Sequence, residues 1–186
     1  MRLSNEHQVI LIEMAKEEIL NHLSRDRKWP KKDRDIPDSL KITCGVFVSI
    51  YVENHLRGCI GTFSEEEPLY RNVKKMAISA AFHDTRFRPL NKDETDKFSI
   101  EISVLSPRKL IKGPEDIKIG RDGIYIKKGM NRGTFLPQVA VNQQWNAEEF
   151  LGNCAKYKAG LDWNGWKSAE LYTYQACIFD SGKMDG

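Results

Sequence analysis

The stretch GVFVSIYVENHLRGCIGT, residues 45–62, decides the fold. Over residues 46–52, aliphatic side chains alternate with aromatic or polar ones, which is the period of a strand whose successive side chains point to opposite faces. Residues 53–55 are polar and predict a turn, and residues 56–62 predict the returning strand. The stretch therefore predicts a β-hairpin.

Around this hairpin the sequence predicts helices and further strands. Apolar residues recur at steps of three and four over residues 5–24 and 68–81, which predicts two amphipathic helices. Alternation predicts strands over residues 98–105 and 170–179. Because strands and helices do not alternate regularly, we expect an α+β fold in which these strands and the hairpin share one mainly antiparallel sheet.

Length and composition favour a single domain over residues 1–186, with 40% hydrophobic and 30% charged residues. No window resembles a membrane span, and the acidic N-terminal stretch does not resemble a signal peptide. Neither metal-ligand spacing nor a nucleotide-binding motif occurs, so we expect no metal and no cofactor. The cysteines have no paired spacing, and we interpret them as reduced thiols of a cytoplasmic protein. They are Cys44, Cys59, Cys154 and Cys177.

The segment LRGCIGT, residues 56–62, carries the first candidate site. Regular alternation would place Arg57 and Cys59 on one face, about 7 Å apart along the strand. A guanidinium near a thiol favours the reactive thiolate. Gly58 and Gly61 would leave that face open to a ligand or let another backbone come close. The alternative is a core cysteine beside two glycines that mark a bulge.

A second candidate site is HDTRFRPL, residues 83–90, directly after the second predicted helix. Asp84 and Arg86 are unlike charges on an irregular stretch, where functional residues often lie. His83 is a candidate proton carrier. The alternative is that Asp84 and Arg86 only fix the loop through a salt bridge or backbone hydrogen bonds.

A third candidate is GTFLPQVA, residues 133–140. Pro137 is suited to begin a helix, which would place Gln138 in the first turn beside free backbone N–H groups. Such groups favour an anion. The alternative is that Gln138 caps the helix or faces solvent.

Basic residues suggest a binding module as a different class of function. Six basic and two acidic residues lie between Arg25 and Arg34, in a predicted surface loop. Other cations that would extend such a surface are Arg71, Lys74, Lys75, Arg86 and Arg88. Against this reading, the net charge is only +3, so we do not expect nucleic acid as a partner.

The same segments resemble a known family. LRGCIGTF, residues 56–63, resembles the signature of the AMMECR domain family, named after an Alport-syndrome and elliptocytosis chromosomal region. The similarity continues, in the family's order, through AFHDTRFRPL at 81–90, IEISVL at 100–105 and LPQVA at 136–140.

The resemblance implies an α+β fold with a larger and a smaller subdomain and a cleft between them. It also implies that the three segments converge. From the residues themselves we expect Cys59 as a catalytic nucleophile or acyl carrier and Asp84 or His83 as a proton carrier. The expected substrate-binding residues are Arg57, Arg86 and Gln138. The expected function is an enzyme, or an enzyme component, of a modification pathway. A Memo-type protein or a radical-SAM enzyme is the expected partner, by family association. The alternative is a nucleic-acid or protein-binding module without catalysis.

Overall fold

A computed structural model describes residues 3–24 and 35–181, which fall into two compact units. The first unit is Met1–Leu105 together with Cys177–Gly186, and the second unit is Ser106–Ala176. A larger and a smaller unit therefore exist, as the resemblance implies. The cleft between them stays a prediction.

Eight strands and four α-helices form in the described part of the chain. The strands are β1 (Val46–Val52), β2 (His55–Thr62), β3 (Phe98–Leu105), β4 (Lys109–Ile111), β5 (Gly123–Lys128), β6 (Asn131–Phe135), β7 (Glu170–Tyr174) and β8 (Ala176–Asp180). The helices are α1 (Asn5–Leu23), α2 (Leu69–Phe82), α3 (Pro137–Asn142) and α4 (Ala147–Tyr157).

The first unit contains a four-stranded sheet in the order β2-β1-β3-β8. The central strand β1 pairs antiparallel with both β2 and β3, so Val48 lies between Ile60 and Ile102. One face of β1 and β3 is apolar and mostly buried, because alternate side chains of these strands pack into the core with the helices. The predicted hairpin and the strand over 98–105 are confirmed.

Helices α1 and α2 supply the other side of this core. Helix α1 begins after Ser4, whose side chain accepts a hydrogen bond from the His7 amide at 3.3 Å. Helix α2 begins directly after Pro68. Both predicted helices are confirmed within two residues at each end, because each presents a stripe of buried apolar residues at helical spacing.

The second unit has its own sheet, in the order β4-β7-β5-β6, and its own core. Helix α4 begins with a capping box in which Asn146 and Glu149 bond each other's backbone amides at 2.9 Å. Its apolar face packs Phe150 and Leu151 into the core with Ile124. An α+β fold with antiparallel pairing in both sheets is confirmed.

The prediction of one strand over residues 170–179, sharing a single sheet with the hairpin, is wrong. Strand β7 belongs to the sheet of the second unit, and β8 belongs to that of the first. Between them, Gln175 exchanges hydrogen bonds with Ser106, which lies where the chain enters the second unit. The alternation of apolar residues continues across this change of partner, so it does not reveal the break.

No helix among residues 3–24 and 35–181 is long and apolar enough to cross a bilayer. The same residues contain no group of three His, Cys, Asp or Glu side chains arranged to hold a metal ion. The basic loop from Arg25 to Arg34 lies outside the described residues.

Candidate functional site

Cys59 lies on β2, directly opposite Ser49 of β1. The Ser49 hydroxyl donates a hydrogen bond to the Cys59 Sγ at 3.3 Å. The Cys59 amide donates to Asp84 Oδ2 at 2.9 Å, and its carbonyl accepts from the Arg86 guanidinium at 2.9 Å. The thiol is partly exposed, while the backbone on both sides of it is held by charged side chains.

Asp84 is the centre of this arrangement. It follows the end of α2, is 6% exposed, and also accepts the Arg86 guanidinium at 2.9 and 2.7 Å. The hydrogen bonds from the Arg86 side chain, with those from the Cys59 and Arg86 amides, hold the pKa of Asp84 well below its ordinary value, although burial alone would raise it. Asp84 is therefore an ionised acceptor at neutral pH, and it anchors the loop to the strand.

The Asp84–Arg86 pair takes the place of a neighbouring strand. Strand β2 is at the edge of its sheet, so its outward N–H and C=O groups lack a strand partner. At Cys59 the carboxylate accepts the outward N–H and the guanidinium donates to the outward C=O. This fixes the position of the thiol-bearing residue on an otherwise unpaired edge.

A β-bulge in β2 changes the position predicted for Arg57. On β2, Leu56 is the partner of Tyr51 and Gly58 is the partner of Ile50, so Arg57 is an extra residue. Leu56 therefore shares the sheet face of Cys59, because Tyr51 and Ser49 lie on one face of β1. The regular alternation expected over this segment is interrupted, and the shared face of Arg57 and Cys59 stays a prediction.

Arg57 binds a carboxylate that was not predicted from the sequence. Its guanidinium donates to both oxygens of Glu94, at 3.0 and 3.1 Å, and Arg88 donates to the same carboxylate at 2.9 Å. Glu94 also accepts the Asn91 amide in a capping box. The spacing Asn91-x-x-Glu94 is the one signal in the sequence that identifies Glu94 as structurally engaged.

A pocket of about 550 Å³ lies beside this ionic cluster in the first unit. Two guanidinium groups share one carboxylate there, while the lining as a whole has three basic and three acidic side chains and therefore no formal net charge. Leu56 and Phe87 add apolar surface to the lining. The complete lining is Val52, Glu53, His55, Leu56, Arg57, Phe87, Arg88, Asn91, Asp93, Glu94 and Lys97.

The two glycines of the segment do not leave an open face. A Cβ on Gly58 would lie 1.9 Å from the Ala80 carbonyl oxygen, so this glycine lets α2 approach the strand. A Cβ on Gly61 would lie 2.2 Å from the ring of Phe47. The expectation of close approach by another backbone is confirmed at Gly58, and the expectation of an open surface is wrong.

The other cysteines have different surroundings. Burial raises the pKa of Cys44 to about 11 and that of Cys154 to about 12, so both thiols stay protonated and enclosed near neutral pH. Cys177 is partly buried and packs against the first core. Cys59 differs from all three because polar groups hold its side chain and its backbone.

Gln138 and His83 are the remaining residues of the predicted site. Gln138 lies in the first turn of α3, as predicted, and belongs to the second unit. Its Oε1 is buried without a hydrogen-bond partner among the described residues. His83 is exposed and caps the end of α2 through its amide. The convergence of Gln138 with the other two segments stays a prediction.

Comparisons with known proteins agree on one family. The AMMECR1 family model matches residues 12–179. Protein PF1979 of Pyrococcus furiosus is 38% identical, with 96% of this chain and 90% of that protein covered. Protein NEQ441 of Nanoarchaeum equitans is 42% identical, with 80% and 89% covered. The crystal structure of PH0010 from Pyrococcus horikoshii has a TM-score of 0.84 and 36% identity, with 97% and 94% covered. This chain belongs to the AMMECR1 family.

Proposed function

We propose that this chain is an enzyme component of a modification pathway, and that the thiol of Cys59 is its nucleophile. One observation carries the proposal. The partly exposed Cys59 lies on an edge strand, where the buried Asp84 carboxylate fixes its N–H and the exposed Arg86 guanidinium fixes its C=O. A core cysteine needs no such polar support, whereas a reacting group must be held in one position.

The neighbouring charges suit a negatively charged sulfur. The hydrogen bond with Asp84 raises the pKa of Arg86, and the nearby Cys59 thiol adds to the rise, so the guanidinium is within electrostatic reach of the sulfur. In this proposal Asp84 positions the loop and does not carry a proton, because its oxygens already accept hydrogen bonds from Cys59 and Arg86. Arg86 positions Cys59 through its carbonyl group.

The pocket beside Arg57 is the proposed site for an anionic part of the substrate. Along β2 it begins within about 10 Å of Cys59, given a strand rise of about 3.3 Å per residue. Arg57 and Arg88 line it and supply the guanidinium donors for such a group. The predicted contribution of Gln138, from the second unit, is part of the same proposal.

The proposed step is a group transfer through sulfur. The Cys59 thiolate attacks an electrophilic carbon of the substrate, and the bond from that carbon to its leaving group breaks. The leaving group departs with the bonding electrons, and the thiol proton has already passed to solvent. The group held on sulfur then passes to an acceptor nucleophile, which restores the thiol. A Memo-type protein or a radical-SAM enzyme in the cytoplasm is the proposed partner, on the basis of the family resemblance.

The competing proposal is a binding module without catalysis. Its described basic residues lie on α2 and in the loop after it. Four of them are paired with acids: Lys74 with Glu18 at 2.7 Å, Lys75 with Glu67 at 2.5 Å, Arg86 with Asp84 at 2.7 Å and Arg88 with Glu94 at 2.9 Å. Such pairing weakens the positive electrostatic potential that would attract an acidic partner. No observation on the described residues favours this function over the thiol site.

A pair of alkylating reagents tests the proposed function. Iodoacetate is anionic and iodoacetamide is neutral, and they otherwise react alike with thiols. We expect the ratio of the iodoacetate rate to the iodoacetamide rate to be higher at Cys59 than at Cys177 in the same chain. In the Arg88→Gln variant, this ratio should fall at Cys59. Mass spectrometry of the two cysteine peptides gives both rates. If the iodoacetate-to-iodoacetamide ratio is the same at Cys59 and Cys177, the proposal that Cys59 reacts beside an anion-binding site loses its support.

A further inference from the structure

Ser49 is the residue that touches the sulfur of Cys59. It lies on β1, opposite Cys59 in the strand register, and it is 8% exposed. Its hydroxyl donates to the Sγ at 3.3 Å, across the sheet and not from a mobile loop. The sulfur therefore has a defined hydrogen-bond donor on β1, a central strand of the sheet in the first unit.

Tyr51 continues this polar face of β1. Burial raises the pKa of the Tyr51 phenol, the Glu101 carboxylate and the Cys59 thiol raise it further, and a hydrogen bond with Ser49 opposes the rise. Tyr51 is therefore a neutral phenol at neutral pH, next to Ser49. Glu101 of β3 pairs with Ser49 from the other side of β1. The thiol thus adjoins a cross-strand row of polar groups.

We propose that Ser49 is a positioning residue of the Cys59 site, whose hydroxyl holds the sulfur and donates a hydrogen bond to its thiolate. This inference rests on the proposed function, because it assigns a role to Ser49 only if Cys59 reacts. A donor to an ionised acceptor bonds more strongly than a donor to a neutral one, so the Ser49 hydroxyl favours the reactive form over the thiol. Nothing in the sequence motif around Cys59 identifies Ser49, since it comes from another strand.

A purely structural explanation exists and makes a different prediction. A buried hydroxyl needs a hydrogen-bond partner, and the sulfur satisfies that need whether or not Cys59 reacts. In that case a change at Ser49 alters only stability. A positioning role instead links the hydroxyl to the rate at which Cys59 reacts and to the pH at which that rate rises.

Two isosteric variants separate these explanations. Ser49→Thr keeps the hydroxyl, and Ser49→Val has a methyl group in its place. Both variants add one further methyl group to the serine side chain, so they are isosteric with each other, and both residues fit a strand. The matched control is Ser103→Ala, because Ser103 is 4% exposed on the same sheet and is not the partner of Cys59. The rate of Cys59 alkylation by neutral iodoacetamide is measured on the full chain from pH 6 to 9.5, by mass spectrometry. Thermal melting checks that each variant is folded.

We expect Ser49→Val to slow alkylation of Cys59 near pH 7 by roughly tenfold, as the loss of one hydrogen bond to a charged group implies. In Ser49→Val the alkylation rate should begin to rise at a higher pH than in the parent chain. In Ser49→Thr and Ser103→Ala, the rate and its pH dependence should stay near those of the parent chain. The other charged or titratable groups that face or adjoin the thiol are unchanged in every variant. They are Tyr51, Arg57, Asp84, Arg86 and Glu101.

The outcomes distinguish this inference from the proposed function. If Cys59 is the fastest thiol but folded Ser49→Val reacts like the parent chain, the role of Ser49 is refuted and the proposed function stands. If Cys59 in the parent chain reacts no faster than Cys177, the proposed function itself fails. Should the Val variant not fold, Ser49→Ala decides, and a parent-like rate there likewise refutes the positioning role.

Discussion

Asp84 joins strand β2 to the loop after α2 through one carboxylate. It accepts hydrogen bonds from the Cys59 amide on β2, and from the Arg86 amide and guanidinium in the loop after α2. Replacing it by Asn keeps the size of the side chain but removes the charge and one acceptor. We expect Asp84→Asn to lower the free energy of unfolding by about 1.5–3 kcal/mol, the range for hydrogen bonds to charged groups. Urea unfolding at pH 7 measures this change, and an unchanged midpoint would contradict it.

The same carboxylate predicts a pH dependence. Its pKa is lower in the folded chain than in the unfolded chain, where it is about 3.9. The stabilisation from Asp84 is therefore fully present above that unfolded value, and it is lost as the pH falls toward the folded pKa. We expect the gap in unfolding free energy between the parent chain and Asp84→Asn to be constant from pH 8 to about pH 5, and to narrow below about pH 4.

The sequence predicts the candidate residues and one of their contacts. Cys59, Asp84 and Arg86 stand out because a thiol and unlike charges occur in short, unusual segments, and the salt bridge between Asp84 and Arg86 was one of the two alternatives. Glu94 and Ser49 do not stand out, since each meets its partner only through folding. The bulge at Arg57 was not predicted, because a bulge is defined by the register of two strands and the pattern of one strand does not contain it.

At the scale of elements, the contact of α2 with β2 depends on one missing side chain. A Cβ at Gly58 would lie 1.9 Å from the backbone carbonyl of Ala80, and a backbone atom moves only with its helix. At Gly61 the added Cβ would meet the ring of Phe47, a side chain that can rotate. Both glycines lie in the same strand, so they form a matched pair.

We expect Gly58→Ala to destabilise the chain by about 1–3 kcal/mol or more, as overpacking of a well-filled contact does. Gly61→Ala should cost less, because Phe47 can adjust. Thermal melting of both variants, with the Cys59 alkylation rate as a second measurement, tests the difference. A larger loss for Gly61→Ala would mean that α2 is free to move and that the contact is not tight.

The elements that were predicted correctly are those whose own residues show a clear apolar periodicity. Helices α1 and α2 carry both an apolar stripe and a defined beginning, and β1 and β3 have clear alternation. Strands β4 and β6 were not predicted because they are only three and five residues long. The change of sheet between β7 and β8 escaped because Gln175 is neither glycine nor proline, so no residue there interrupts the pattern.

For the whole molecule, charge predicts the kind of partner. The net charge is +3, and two cations on α2 are engaged with acids. We therefore expect no specific nucleic-acid complex. Fluorescence anisotropy with a labelled duplex, from 50 to 200 mM salt, checks this. A sub-micromolar complex that weakens steeply with salt, and is lost in the double variant Lys31→Glu, Lys32→Glu, would contradict the expectation and favour the binding module.

The central claim is that Cys59 is the reactive thiol of the first unit, and the order in which the four cysteines are alkylated tests it most directly. The native chain is treated with limiting iodoacetamide at pH 7, and the label on each cysteine peptide is measured by mass spectrometry over time. We expect Cys59 to react first, Cys177 more slowly, and the buried Cys44 and Cys154 only after denaturation. If Cys177 or either buried cysteine reacts faster than Cys59 in the folded chain, the nucleophile has been assigned to the wrong residue.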